Sequence, residues 1–331
     1  MPNLRVIVSA SDLQPNGLPV AVAMGMFDGV HLGHQHVIRS ALLNARRLSG
    51  RSVVISFHPH PLAIIQPEKA PEFLQSVRQR LRAIQALGVD AVLLIPFDEE
   101  FSRRTGEEFV RGLARDFGSL RSFTVGQGFH FGHGRSGNVP LLKSLGAELG
   151  FATHAMAPLS VGDQLVSSTR IRKALRAGDL SEVSELLGRS YSLAGQVVRG
   201  DQLGRQLGYP TANLDVSGLL LPPAGVYAAR ALRGNGSEHP CVLNIGLRPT
   251  LDQLTPTLRF EVHLLDFDDA LYGEELEIEF VKRLRAEKKF PGIEVLKRQI
   301  AADIRAARSL PGMSSWRAGC GTTHTSSVEP V

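Results

Sequence analysis

The sequence predicts two domains, a doubly wound parallel α/β sheet followed by an antiparallel β-barrel or sandwich with one closing helix. Three observations carry this. Short apolar runs alternate with helical patterns from Leu18 to Leu187, the signature of parallel strands joined by crossover helices. After Gly188 the strand patterns follow one another across Gly/Pro/Asn clusters, with no helices between them, as in a barrel or sandwich. At 331 residues the chain is also long for a single core. The expected division is residues 1–187, residues 188–310 and a Ser/Thr/Gly-rich, weakly charged disordered tail over 311–331.

The elements follow in order. Leu18 to Ala23 is a short uninterrupted apolar strand that ends in a glycine turn, and Gln35 to Leu48 is an amphipathic helix. Ser52 to Phe57 is a β-branched strand, and the two prolines of His58-Pro59-His60-Pro61 predict an extended loop at its carboxyl end. Gln75 to Leu87 reads as a helix and Ala91 to Ile95 as a strand. Thr105 to Phe117 is a helix opened by a capping box, Thr105 with Glu108. The strand Arg121 to Val125 leads into Gly126–Gly137, where five glycines in twelve residues exclude a regular element. A strand from Ala152 to Ala157, a helix through Arg176 and a short helix from Asp179 to Leu187 complete the half, with Gly188 as its C-cap. The second half reads as strands Tyr191–Val198, Val226–Leu232, Cys241–Ile245, Leu258–Leu265 and Leu276–Leu284, then a helix from Gly292 to Arg308.

Composition narrows the function classes. A formal charge of +5 favours an anionic partner, but the basic residues are dispersed and make no nucleic-acid footprint. No apolar run approaches membrane-spanning length, and Leu18 to Phe27 lacks the flanks of a signal peptide. Cys241 and Cys320 form no disulfide framework, so a reducing cytoplasm is expected. The chain offers no H-E-x-x-H helix and no Cys-based zinc site. Oligomeric state stays open.

The motifs point to phosphate chemistry. Gly25-Met26-Phe27-Asp28-Gly29-Val30-His31-Leu32-Gly33-His34 joins a strand to a helix N-terminus, where free N–H groups and the helix dipole attract an anion. Ser167, Ser168, Thr169 and Arg170 open another helix with hydroxyls, N–H groups and a guanidinium fork. A long glycine-punctuated stretch, Gly195 to Leu214, follows the first strand of the second half. No Walker G-x-x-x-x-G-K-[ST] occurs, which excludes a P-loop enzyme.

The first stretch resembles the H-x-G-H signature of the nucleotidyltransferase superfamily. Its longer form, G-x-F-D-G-V-H-x-G-H, is similar to the prokaryotic bifunctional riboflavin kinase/FMN adenylyltransferase family. Gly126–Gly137 is similar to that family's V-G-x-[DN]-F-x-F-G-x-x-R-x-G, with Gly128 where the pattern has Asp or Asn, and Ser167–Arg172 matches its S-S-T-R-I-R. In the second half, Gly204–Asn213 matches G-R-x-L-G-[FY]-P-T-A-N, and Glu261–Phe267 matches E-x-H-L-L-D-F. Asn244 to Thr250 completes the resemblance, which spans Gly25 to about Ile304.

The resemblance implies a Rossmann-like FMN adenylyltransferase domain and a riboflavin kinase barrel, each using ATP. In the first, His31, His34 and Arg170 would stabilise charge on the reacting phosphates. Gly25, Phe27, Asp28, Gly33, Ser167, Ser168 and Thr169 would hold ATP, and Phe57, His58, Pro59, Phe129 and Arg135 the flavin. In the second, Glu261 would be the general base, Gly200, Gly204 and Gly208 would cradle phosphates, and Thr211 and Asn213 would hold Mg²⁺. The alternatives are a monofunctional riboflavin kinase with an impaired first domain, a flavin- or nucleotide-sensing regulator, and an RNA-binding protein, for which no basic stripe is present.

Overall fold

The computed structural model describes residues 5–13, 17–200, 203–248 and 257–313. Pro249 and Thr250 of the expected motif, Cys320, and residues 314–331 of the expected tail lie outside the described residues. The chain forms two compact units, Met1–Arg189 with Gly218–Leu220, and Ser190–Ser217 with Leu221–Val331. Gly218–Leu220 joins the first unit through backbone bonds from Phe73 N to Gly218 O (2.9 Å) and from Leu220 N to Phe73 O (2.8 Å). The expected cut at 187/188 therefore omits one excursion of the chain.

The strands of the first unit are β1 (Arg5–Ile7), β2 (Val20–Met24), β3 (Arg51–His58), β4 (Ala91–Pro96), β5 (Leu120–Gly126) and β6 (Ala152–Met156), with a small hairpin, β7 (Ser160–Val161) and β8 (Gln164–Leu165). Its helices are α1 (Leu32–Arg47), α2 (Pro61–Ile65), α3 (Val77–Gln85), α4 (Glu99–Ser102), α5 (Gly106–Phe117), α6 (Val139–Leu149), α7 (Ser168–Ala177) and α8 (Leu180–Leu187). The main sheet is parallel, in the order β1-β4-β3-β2-β5-β6. Strand order departs in both directions from β2, so the carboxyl ends of β2 and its neighbours form the crevice where such sheets bind ligands.

Both faces are covered. Ala23, Val54 and Val92 pack with Ile38, Ala41 and Leu42 of α1 and Ile84 of α3. Val22, Ile55 and Leu93 pack with Phe109, Val110 and Leu113 of α5 and Leu142 and Leu145 of α6. The capping box of α5 forms, with Glu108 N donating to Thr105 Oγ1 and Thr105 N to Glu108 Oε2. The expectation that the prolines after β3 exclude helix is corrected at Pro61. Its missing N–H is no loss at the first helical position, and His60 Nδ1 caps α2 by accepting from Leu62 N (3.1 Å).

The second unit closes a six-stranded antiparallel barrel in the order β10-β13-β12-β11-β14-β9. Its strands are β9 (Ser192–Val198), β10 (Ala212–Asp215), β11 (Gly225–Arg233), β12 (Glu238–Arg248), β13 (Thr257–Leu264) and β14 (Glu275–Ala286), joined by α9 (Leu203–Gln206) and closed by α10 (Ile293–Arg308). Alternation sorts the side chains, because successive residues of a strand face opposite sides. Tyr227, Phe260, Val262 and Phe280 are buried, and the Tyr227–Phe280 and Phe260–Phe280 rings meet at 5.4 and 6.3 Å. On the other face Val226, Ala228 and Val242 pack with Ala307 of α10. β10 was not expected, because its polar residues read as loop; it forms through pairing with β9 and β13 on both sides.

Candidate active sites

In the first unit the turn after β2 is a strained loop. Phe27 (φ 51°), Val30 (φ 40°) and Gly29 (φ 84°) all lie in the left-handed region, and a β-branched residue rarely does. Strain of this kind, of order 1–3 kcal/mol per residue, persists only where the surroundings enforce it. Here they do. Asp28 is 3% exposed, and its carboxylate accepts Leu74 N (3.0 and 3.1 Å) and Arg172 Nη2 (2.5 Å). Arg172 Nε donates to Glu72 O (2.9 Å), and Ser168 Oγ donates to Asp28 O (3.1 Å). Arg189 donates to Gly29 O (2.8 Å) and Val30 O (3.2 Å). The loop is thereby fixed to α7, to the 72–74 segment and to the end of the first unit.

This frame presents the two histidines. His31 is the N-cap of α1 rather than a residue inside it, and its Nδ1 accepts His34 N (3.2 Å). An Nδ1 that accepts places the proton of the neutral ring on Nε2, which is a free-standing donor. The His31 and His34 rings stack with centroids 3.5 Å apart, and Phe27 meets His34 edge-on at 5.3 Å. Gly33 makes the stacking possible, since a Cβ there would lie 3.2 Å from the His31 ring. Burial first, then the charges of Arg189 and Arg172, lowers the His31 pKa to about 4. Burial likewise drives His34 well below its usual value, and His34 Nδ1 is a buried atom without a hydrogen-bond partner. Both rings are therefore neutral N–H donors at physiological pH, not imidazolium ions.

The other expected site residues have these partners. Asp28, expected at ATP, holds Arg172 and Leu74 N as a buried anchor. Phe57, expected at the flavin, is 5% exposed and packs among Phe97, Phe101 and Phe109. Phe27 is buried beneath His34 and supports that ring. Arg170 gives Nε to Glu182 (2.8 Å) and Nη1 to Val161 O and Gln164 O, so it braces the β7–β8 hairpin. Ser167 caps α7, Thr169 is exposed, and Gly25 ends β2. His58, exposed, Pro59 and His60 line the end of β3, with Phe73 6.4 Å from His58 and 6.0 Å from His60. Phe129 stacks on Phe131 (6.0 Å), and Arg135 is exposed in the same loop.

The second unit builds its site on one row across the barrel. Glu261 lies directly opposite Asn213 of β10 and Asn244 of β12, and Asn244 in turn opposes Val226. Residues in such register share a face. Glu261 therefore points away from the interior that holds Phe260 and Val262, into a cavity of about 250 Å³ bounded by Leu203, Leu207, Thr211, Arg285, Leu296 and Ile300. Arg259, two residues earlier on that face, pairs with Glu261 at 3.2 Å. Asp303 of α10 accepts Arg285 Nε and Nη2, which fixes the helix over the cavity. Gly200 lies close against Asn213, where a Cβ would come within 2.2 Å of Nδ2 and displace that amide. Gly204 lies against Tyr209 O and Thr211 Oγ1, and Gly208 turns at φ 86°.

A family model for FAD synthetase matches residues 14–170, and one for riboflavin kinase matches residues 187–310. The bifunctional riboflavin kinase/FMN adenylyltransferase of Escherichia coli is 36% identical over 293 residues, covering 88% of this chain and 93% of the relative. That of Pseudomonas fluorescens is 37% identical over 314 residues, covering 95% and 100%. The chain belongs to the bifunctional riboflavin kinase/FMN adenylyltransferase family. A Streptococcus pneumoniae crystal structure, described as a macrolide-efflux protein, superimposes with a TM-score of 0.78 at 29% identity, covering 92% of this chain and 98% of its own. Among the described residues no helix is long and apolar enough to cross a membrane.

Set in this family, Arg80 escaped the sequence reading, and so did the partner of Arg172. Arg172 lies in the quoted S-S-T-R-I-R motif, but nothing local says that it and not Arg170 reaches Asp28. Arg80 had a fainter signal, a cation in phase with Val77 and Ile84 on the buried side of α3.

Proposed function

We propose that this chain phosphorylates riboflavin to FMN with ATP in its barrel and adenylylates FMN to FAD with a second ATP in its α/β unit. The observation that carries the reading is Glu261, a strand carboxylate facing a cavity and flanked in register by Asn213 and Asn244. A binder has no use for a base there. Glu261 accepts the proton of the riboflavin 5′-hydroxyl as its oxygen bonds to the γ-phosphorus and ADP leaves. Arg259 orients the carboxylate, and the apolar wall of Leu203, Leu207, Leu296 and Ile300 suits a flavin ring.

Thr211 Oγ1 and Asn213 Oδ1 would hold Mg²⁺, and Gly200 and Gly204 let the backbone lie close against these two side chains. When bound, the ion neutralises charge on the ATP phosphates.

In the first unit an FMN phosphate oxygen bonds to the α-phosphorus of ATP while the bond to pyrophosphate breaks. His31 and His34, neutral and stacked, donate N–H groups to phosphate oxygens as charge builds on them. Arg170, the third group expected at the phosphates, is held by Glu182 and by the hairpin carbonyls of Val161 and Gln164. A reducing cytoplasm suits the free buried thiol of Cys241.

Incubating the protein with riboflavin, Mg²⁺ and ATP and separating the flavins tests the reading. FMN followed by FAD is expected. FMN alone would leave a monofunctional kinase, and unchanged riboflavin would leave a sensor.

A further inference from the structure

Arg80 lies in none of the motifs and is 2% exposed, among the largest fully buried side chains of the molecule. Its Nη1 donates to Met26 O (2.9 Å), just beyond β2, and its Nη2 to Phe57 O (3.0 Å), at the end of β3. Its Nε is buried without a hydrogen-bond partner. Among the described residues no carboxylate forms an ion pair with Arg80, because Asp28 pairs with Arg172. Arg172, which pairs with Asp28, and Arg189, on Gly29 O and Val30 O, hold the same histidine loop.

Burying a cation without a counter-ion is costly, and a neutral amide would suffice to tie two carbonyls together. The charge makes sense if its counter-ion is the ligand. We propose that Arg80 is a positioning residue of adenylyl transfer, a fixed positive charge beneath the crevice that the phosphates of the nucleotide donor balance without touching it. This rests on the adenylyltransferase reading.

The groups facing it agree. Burial, then Arg80, lowers the pKa of His58; burial, then Arg172 and Arg80, lowers that of His60 to about 4. His34 is lowered by burial, then by His31, Arg80 and Arg172. Burial first, then the positive charge at the ends of β2 and β3, keeps these imidazoles neutral, and Asp28 acts on Arg80 in the opposite sense to its burial.

Two variants separate charge from bonding. Arg80→Lys keeps the charge with fewer hydrogen bonds, whereas Arg80→Gln keeps a neutral donor without the charge. For a unit charge several ångströms from the phosphates, Arg80→Gln should lower kcat/KM for FAD formation on the order of tenfold to a hundredfold, mostly through KM for ATP. Arg80→Lys should stay within a few-fold of the parent, and riboflavin phosphorylation should be unchanged in both. Equal losses in the two variants would show a purely structural tie and overturn the proposal, as would full activity in Arg80→Gln.

Should neither variant fold, the parent protein supplies the test. Inorganic pyrophosphate should raise the protonation midpoints of His58 and His60, followed by NMR, and unmoved midpoints would overturn the proposal. A parent that makes no FAD refutes the adenylyltransferase reading itself. FAD formation with an indifferent Arg80 refutes only the role assigned here.

Discussion

Asp28→Asn removes one buried charge and keeps the side chain's shape. The carboxylate accepts Leu74 N twice and Arg172 Nη2 at 2.5 Å, at 3% exposure. An amide can satisfy Leu74 N with its oxygen, but its NH₂ then faces the guanidinium and no acceptor. Breaking a buried pair by removing one partner costs about 3–5 kcal/mol, because the remaining charge is stranded. The bond from Arg172 Nε to Glu72 O survives and favours the lower end. For a unit of this size each kcal/mol moves Tm by about 2–4 °C, so a fall of about 6–20 °C is expected. FAD formation should fall in parallel as the loop loosens from α7, since Ser168 Oγ bonds to the Asp28 carbonyl. Thermal unfolding read together with both activities checks this, the kinase rate serving as control for the barrel. An unchanged Tm with a KM for ATP raised tenfold would refute the reasoning, because it would mean that Asp28 faces the nucleotide.

Three further outcomes are expected. Glu261→Gln should slow riboflavin phosphorylation by about 10²–10⁴ while FMN-to-FAD turnover persists; equal loss of both rates would point to misfolding. Gly128→Asn should lower KM for ATP in FAD synthesis a few-fold, since one hydrogen bond is worth about 0.5–1.5 kcal/mol and nothing lies within 4 Å of a Cβ there. A raised KM would show that the site excludes the side chain. Lastly, the lowered His31 pKa makes the first unit pH-sensitive. Between pH 6.5 and about 4 the unfolded chain takes up a proton that the folded site refuses. Stability is therefore full above that window and falls through it, by about 3 kcal/mol from this residue. Denaturant titrations of the parent and His31→Ala should differ in slope across the window, and parallel curves would contradict it.

The alternation of strands and helices, the capping box at Thr105 and the crevice motifs were legible because each is written in neighbouring residues. The unexpected β10 shows where that stops. Ala212–Asp215 has no local strand pattern, and hydrogen bonds from β9 and β13 make it one, which sets Asn213 beside Glu261. Phe57 shows the same limit, since the end of a strand can point either into the core or toward the crevice, and here the ring packs among Phe97, Phe101 and Phe109.

By itself the sequence determined the two-part architecture and the family, because periodicity and contiguous motifs are local. Tertiary structure alone decided how the charges are distributed. Asp28 and Arg172 are 144 positions apart, and only folding makes one the anchor of the other. Folding likewise sends Arg170 to Glu182, buries Arg80 between two strand ends and strips water from His31 and His34. Whether a charged side chain is a ligand, an anchor or a field depends on which groups surround it and how little water remains. Sequence spacing carries neither.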